Sequence, residues 1–129
     1  MSNPLPILHY IRDNSFLSSL LERGDIGWGN GYVGVPPGHP WHGKHYYNID
    51  ADVHGGLTYS QDHAPLSMGE SPVPDSEGYW WVGFDTCHLH DNKDNWPESH
   101  VKNETLRLAK QAEEAQDQQD YLNIERDLE

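Results

Sequence analysis

All 12 glycines of this 129-residue chain lie between Gly24 and Gly83. Glycine inside a helix costs about 1 kcal/mol relative to alanine, so this stretch is confined to turns and short strands, and long helices must lie outside it. The flanks read accordingly. In residues 1–23, Ile7, Leu8 and Ile11, then Phe16, Leu17, Leu20 and Leu21, recur at helical spacing; Asn14 or Ser15 can cap the second half and Gly24 can close it. This predicts an N-terminal helix packed on the domain. After Pro97, which suits a first helical turn, Val101, Thr105, Leu108, Ala112, Ala115 and Leu122 follow a three-then-four spacing. A long C-terminal helix over 98–129 is predicted, its first half on the domain. Its end, from Glu113, projects, frays or pairs with a second copy of the chain, because the apolar stripe is narrow and rich in alanine.

Within 24–97, Asn30-Gly31 between Ile26–Trp28 and Tyr32–Val35 is a hairpin signal, stopped by Pro36-Pro37-Gly38. Asn48–His54 alternates apolar Ile49, Ala51 and Val53 with polar Asp50, Asp52 and His54, as a half-buried strand does. Tyr79–Phe84 is aromatic enough to be a central strand buried on both faces. Residues 71–78, with two prolines close together, form a surface loop. The expected architecture is a single α+β domain over 1–129: a small, mostly antiparallel sheet from residues 26–90 within a sheet-and-loop segment 24–97, flanked by an N-terminal and a long C-terminal helix.

Charge narrows the partners. Lys and Arg number 8 against 21 Asp and Glu, a formal −13, which repels phosphate backbones and disfavours nucleic acid. No apolar run approaches the about 20 residues that span a bilayer, and the N-terminus lacks a secretory pattern. The lone Cys87 cannot form an internal disulfide and reads as a small buried side chain rather than a nucleophile. A cytosolic protein is expected.

Seven of the nine histidines fall within residues 39–90, and imidazole is both the commonest metal ligand and the side chain that titrates near neutrality. In His88-Leu89-His90-Asp91 an extended backbone directs His88 and His90 to one face; Asp50, Asp52 and His54 share a face for the same reason. Joining the two strips assembles imidazoles and carboxylates suited to Zn²⁺ or Mn²⁺ with an activated water. The candidate ligands are Asp52, His54, His88, His90 and Asp91, with Asp85 as general base. Asp85 and His88 face apart on an unbroken strand, so both join only if the chain turns after Phe84. His39, His42 and His45 sit among Pro40 and Gly43, in an irregular loop where rim contacts are expected instead of ligation.

A binding pocket is the competing reading. Aromatic residues interleave with histidines and glycines: Trp41, Tyr47 and Trp81 can stack a planar ring, His54 and Asp85 can fix its polar edges, bare Gly55-Gly56 can admit the ligand, and Lys44 can neutralise one charge. The ligand expected is small and polar or nucleotide-like.

Three stretches, GYVGVPPGHPWHGK (31–44), DVHGGLTYS (52–60) and YWWVGFDTCHLHD (79–91), carry Tyr32, Gly38, His39, Pro40, His54, Gly55, Gly56, Trp81, Gly83, Phe84, Asp85, His88 and Asp91 in a fixed order. This order resembles a pattern in small phage- and prophage-encoded proteins of unassigned activity. The resemblance covers about half the chain and excludes both flanking helical segments. It implies an accessory protein acting in a bacterial cytoplasm, where such proteins often blunt host immunity. Three functions are therefore expected in turn: sequestration of a small polar or nucleotide-like immune signal, metal-assisted hydrolysis, or an acidic decoy that captures a basic host protein through the C-terminal helix.

Overall fold

A computed structural model describes residues 5–15, 26–66 and 69–128. Strands β1 (Leu8–Asp13), β2 (Gly29–Val35), β3 (Tyr59–Gln61) and β4 (Trp80–Phe84) form one antiparallel sheet of order β1-β2-β4-β3, followed by helix α1 (Glu98–Leu128). A single 3-10 turn, Tyr46–Asn48, interrupts the long excursion between β2 and β3. The α+β class, the antiparallel sheet and the long C-terminal helix are as predicted. No described helix is long and apolar enough to cross a membrane.

The pleat separates two cores. On the face covered by α1, Val33 and Val35 of β2 and Val82 and Phe84 of β4 pack with Val101, Leu108 and Ala112; on the other face Tyr32, Tyr79 and Trp81 pack with Ala64, Leu8 and Tyr10. β4 lies between β2 and β3, so Tyr79–Phe84 is central and buried on both faces, as its composition implied. Helix α1 begins where the Pro97 carbonyl accepts the His100 and Val101 N–H groups. Its stripe is buried as far as Ala112, after which Tyr121, Leu122 and Ile124 are exposed, so the helix end projects beyond the domain.

Three local expectations are corrected. Ile7, Leu8 and Ile11 do not belong to a helix: residues 8–13 are a strand paired with β2, Leu8 and Tyr10 facing one core and Ile7 and Ile11 the other. A short apolar run covered on both sides has no period that separates strand from helix. The remainder of that predicted helix, with Phe16, Leu17, Leu20, Leu21 and Gly24, lies outside the described residues.

Asn30-Gly31 is not a turn but the interior of β2, opposite Arg12 and Ile11. A Cβ on Gly31 would meet the Thr105 hydroxyl and the Phe84 ring. Glycine is there to let α1 approach the sheet, a demand that local turn chemistry does not report.

Asn48–His54 joins no sheet. Its burial alternates as expected, with Ile49 and Val53 buried and Asp50 and Asp52 exposed, but its backbone is satisfied from α1. The Gln111 side chain accepts from the Asp52 N–H and donates to the Asp52 carbonyl, both at 2.8 Å, and Glu104 accepts from the His54 N–H at 2.8 Å. Helix side chains thus take the place of a neighbouring strand.

Candidate functional site

β4 ends at Phe84, and the chain turns at once. Asp85 accepts the Cys87 N–H at 3.0 Å, and its other oxygen accepts the Thr58 hydroxyl at 2.9 Å. The next turn is closed from both ends: the Asp91 N–H donates to the His88 carbonyl, and the Asp91 carboxylate accepts the His88 N–H, both at 2.9 Å. His90, at φ +75°, makes the reversal, and Asn95 donates to its carbonyl. The bend after Phe84 required to unite Asp85 with His88 is therefore present, and Asp85 Oδ1 lies 3.5 Å from His88 Nδ1.

His54 reaches the same place from the opposite side. Buried Val53 anchors one side of the chain, the His54 N–H is held by Glu104, and Gly55 and Gly56 both take positive φ to turn away. The His54 ring lies 4.1 Å from that of Trp96 and stands edge-on to His88 at 5.3 Å. Its Nε2 is 3.0 Å from each Asp91 oxygen, and His88 Nδ1 is 3.1 Å from Asp91 Oδ2. One atom from each of His54, His88 and Asp91 falls within 4.8 Å of the other two. Gly55 is bare because the His88 ring occupies the space a Cβ would need, whereas Gly56 faces open space.

Asp91 is the electrostatic centre. Burial pushes its carboxyl group up, but hydrogen bonds from His54 and His88 outweigh burial and hold it below the ordinary carboxyl range. Glu104 is held low first by its hydrogen bonds with Arg107, against a smaller upward push from burial. Arg107 also reaches Asp52 at 3.3 Å.

Of the residues named from sequence, His54, Asp85, His88 and Asp91 come together, with Gly55 beneath them. Asp52 does not join: it is exposed and turned to Arg107, because the segment carrying it lies along α1 and not beside β4. His90 is exposed in its left-handed turn, so the two-residue register that would have aligned it with His88 does not exist.

The aromatic pocket is not assembled. Trp41 is buried in the core under α1 and Trp81 in the core on the other side of the sheet, while Tyr47 is 84% exposed against Tyr46 and His45. The exposed Lys44 gives its carbonyl to the Trp80 indole N–H. The pleat of β4 sends Trp81 to the face away from α1, whereas Trp41 lies in the turn after β2 and packs under α1.

The glycine-rich loop histidines tie structure together. His39 accepts the Trp41 N–H and donates Nε2–H to the Ala112 carbonyl at 2.7 Å, and burial pushes its pKa down, favouring the neutral ring. His42 contacts the Gly78 carbonyl, and His45 accepts the Tyr47 N–H. Glu104 and Thr58 support the site without having been singled out from sequence. Glu104 is 50 residues from His54, and no local pattern links them. No family model matches the chain, and neither the curated proteins nor the solved structures compared with it give a match.

Proposed function

We propose that this protein is a divalent-metal-dependent hydrolase, with His54, His88 and Asp91 as metal ligands and Asp85 as the base beside them. The observation that carries this reading is the convergence of two imidazoles on one buried carboxylate. The separations of 3.0 and 3.1 Å between Asp91 and the two rings are close to the about 3.3 Å edge of a tetrahedron with about 2.0 Å metal–ligand bonds. Two nitrogens and one oxygen suit Zn²⁺ or Mn²⁺ and leave a position for water, whose acidity the ion would raise. The His54 and His88 side chains are 24% and 34% exposed, which supports access by water and substrate. Gly55, Trp96 and Glu104 hold the imidazole-bearing segments, as supporting residues around metal ligands do. Asp85, already accepting from Thr58 and Cys87, is oriented toward the same space to take a proton from that water.

The test is metal titration of chain prepared without a histidine tag and stripped with a chelator, followed by hydrolysis assays on a panel of ester and phosphoester chromogens. One Zn²⁺ or Mn²⁺ per chain is expected. His54→Ala and His88→Ala should lose more affinity than the about 10–100-fold carried by supporting residues. Absence of stoichiometric uptake of either ion, or turnover that is unchanged by the chelator, would overturn the assignment.

A further inference from the structure

The face of the sheet turned away from α1 carries a second, unrelated feature. Loops 62–66 and 72–78 rise on either side of Trp81 and enclose a cleft of about 530 Å³, within the range of small-molecule sites. Its apolar wall comes from Trp81, Val73 and Ala64, and its rim carries the exposed carboxylates of Asp62, Asp75 and Glu77. No lysine or arginine is among its lining residues. The imidazole of His63 is held by Asp62 at 2.8 Å.

One detail distinguishes this cleft from an ordinary acidic surface. Trp81 is only 2% exposed, and its indole N–H has no acceptor among the described residues. Among the described residues no fully buried side-chain nitrogen or oxygen is left unpaired, so that N–H keeps an opening, and the open space lined by Trp81 is the cleft.

We propose that this cleft binds a small organic cation, an amine on an aromatic or apolar body that also bears a hydrogen-bond acceptor. The apolar wall takes the body, the indole N–H meets the acceptor, and the rim carboxylates, without a competing lysine or arginine, select positive charge. Anionic ligands are repelled by the same rim and by the chain's net −13. The cleft lies on the sheet face opposite α1, so its occupancy does not depend on metal at His54, His88 and Asp91.

The test uses three probes with the same phenyl ring and benzylic hydroxyl: 2-amino-1-phenylethanol (cation), 1-phenylethane-1,2-diol (neutral) and mandelate (anion). Each is titrated into nitrogen-15-labelled protein in chelator, and the Trp81 indole signal is followed. Saturable shifts are expected with the amine at an affinity at least about fivefold above the diol, as several exposed charges acting together allow, and none with mandelate. High salt should narrow the gap. The double variant Asp75→Asn, Glu77→Gln, whose own spectrum checks its fold, should bring the amine down toward the diol. Equal shifts from all three probes, no shift from the amine, or an undiminished preference in the double variant would each refute the proposal.

Discussion

Replacing Asp91 with alanine isolates the contribution of the His54–Asp91–His88 cluster to stability. In chelator, the variant removes the acceptor of three donors: the His88 N–H at 2.9 Å, His54 Nε2 at 3.0 Å and His88 Nδ1 at 3.1 Å. A hydrogen bond to a charged group contributes about 1.5–3 kcal/mol, so three at the low end reach about 4.5 kcal/mol. The two imidazoles are 24% and 34% exposed and can turn to water; halving their share leaves about 3 kcal/mol, half of it from the part-buried backbone N–H. In a chain of this length that lowers Tm by about 10 °C. Asp91→Asn keeps the shape and one acceptor and should cost about 1–1.5 kcal/mol.

Urea denaturation followed by tryptophan fluorescence at neutral pH measures both variants. The pH dependence supplies a second check. The Asp91 pKa is lower in the folded chain than the ordinary 3.8. Its stabilisation is therefore complete above 3.8 and is lost as pH falls through the lower folded value, so wild type and Asp91→Ala should converge in acid. A loss below about 1 kcal/mol at neutral pH, against an expected 1.5 kcal/mol for even one charged hydrogen bond, would refute the reasoning. So would a difference that persists undiminished in strong acid.

Gly55→Ala and Gly56→Ala both place a side chain at positive φ, but only the first meets the His88 ring; each should cost about 1 kcal/mol of backbone strain, while Gly55→Ala alone should weaken Zn²⁺ binding, measured by titration, by tenfold or more. In alkali the tyrosine cluster is the weak point. Burial raises Tyr10, Tyr32, Tyr59 and Tyr79, with Tyr59 pushed up to about 12, so stability should hold below pH 10 and fall as pH climbs through these raised values; absorbance at 295 nm and fluorescence should then change together. A stop after Asp120 removes a helix end whose residues 121–126 are exposed, so the melting temperature should stay within about 2 °C, since surface changes are worth about 0.5 kcal/mol or less. If that end mediates self-association, sedimentation at rising concentration will distinguish the two lengths.

The central strand, the projecting helix and three residues of the candidate cluster were legible in the chain itself, each for a local reason. Tyr79–Phe84 is too aromatic to lie anywhere but between two cores, Val101 to Ala112 repeats at the helical period, and glycine turns beside His54 leave an imidazole presented at a bend. These properties are set by side-chain volume, spacing and backbone freedom within a few residues. What neighbours do with those properties was decided only in three dimensions. Asn30-Gly31 serves close packing because Thr105 and Phe84 arrive against it; residues 48–54 need no partner strand because Gln111 and Glu104 satisfy their backbone; and Asp52 and His90 stay outside the cluster because contacts with Arg107 and a left-handed reversal carry them away. A polar backbone group must be paired, but sequence does not say by whom. That choice rests on contacts 50 or more residues apart, and it separates a strip of potential ligands from a site.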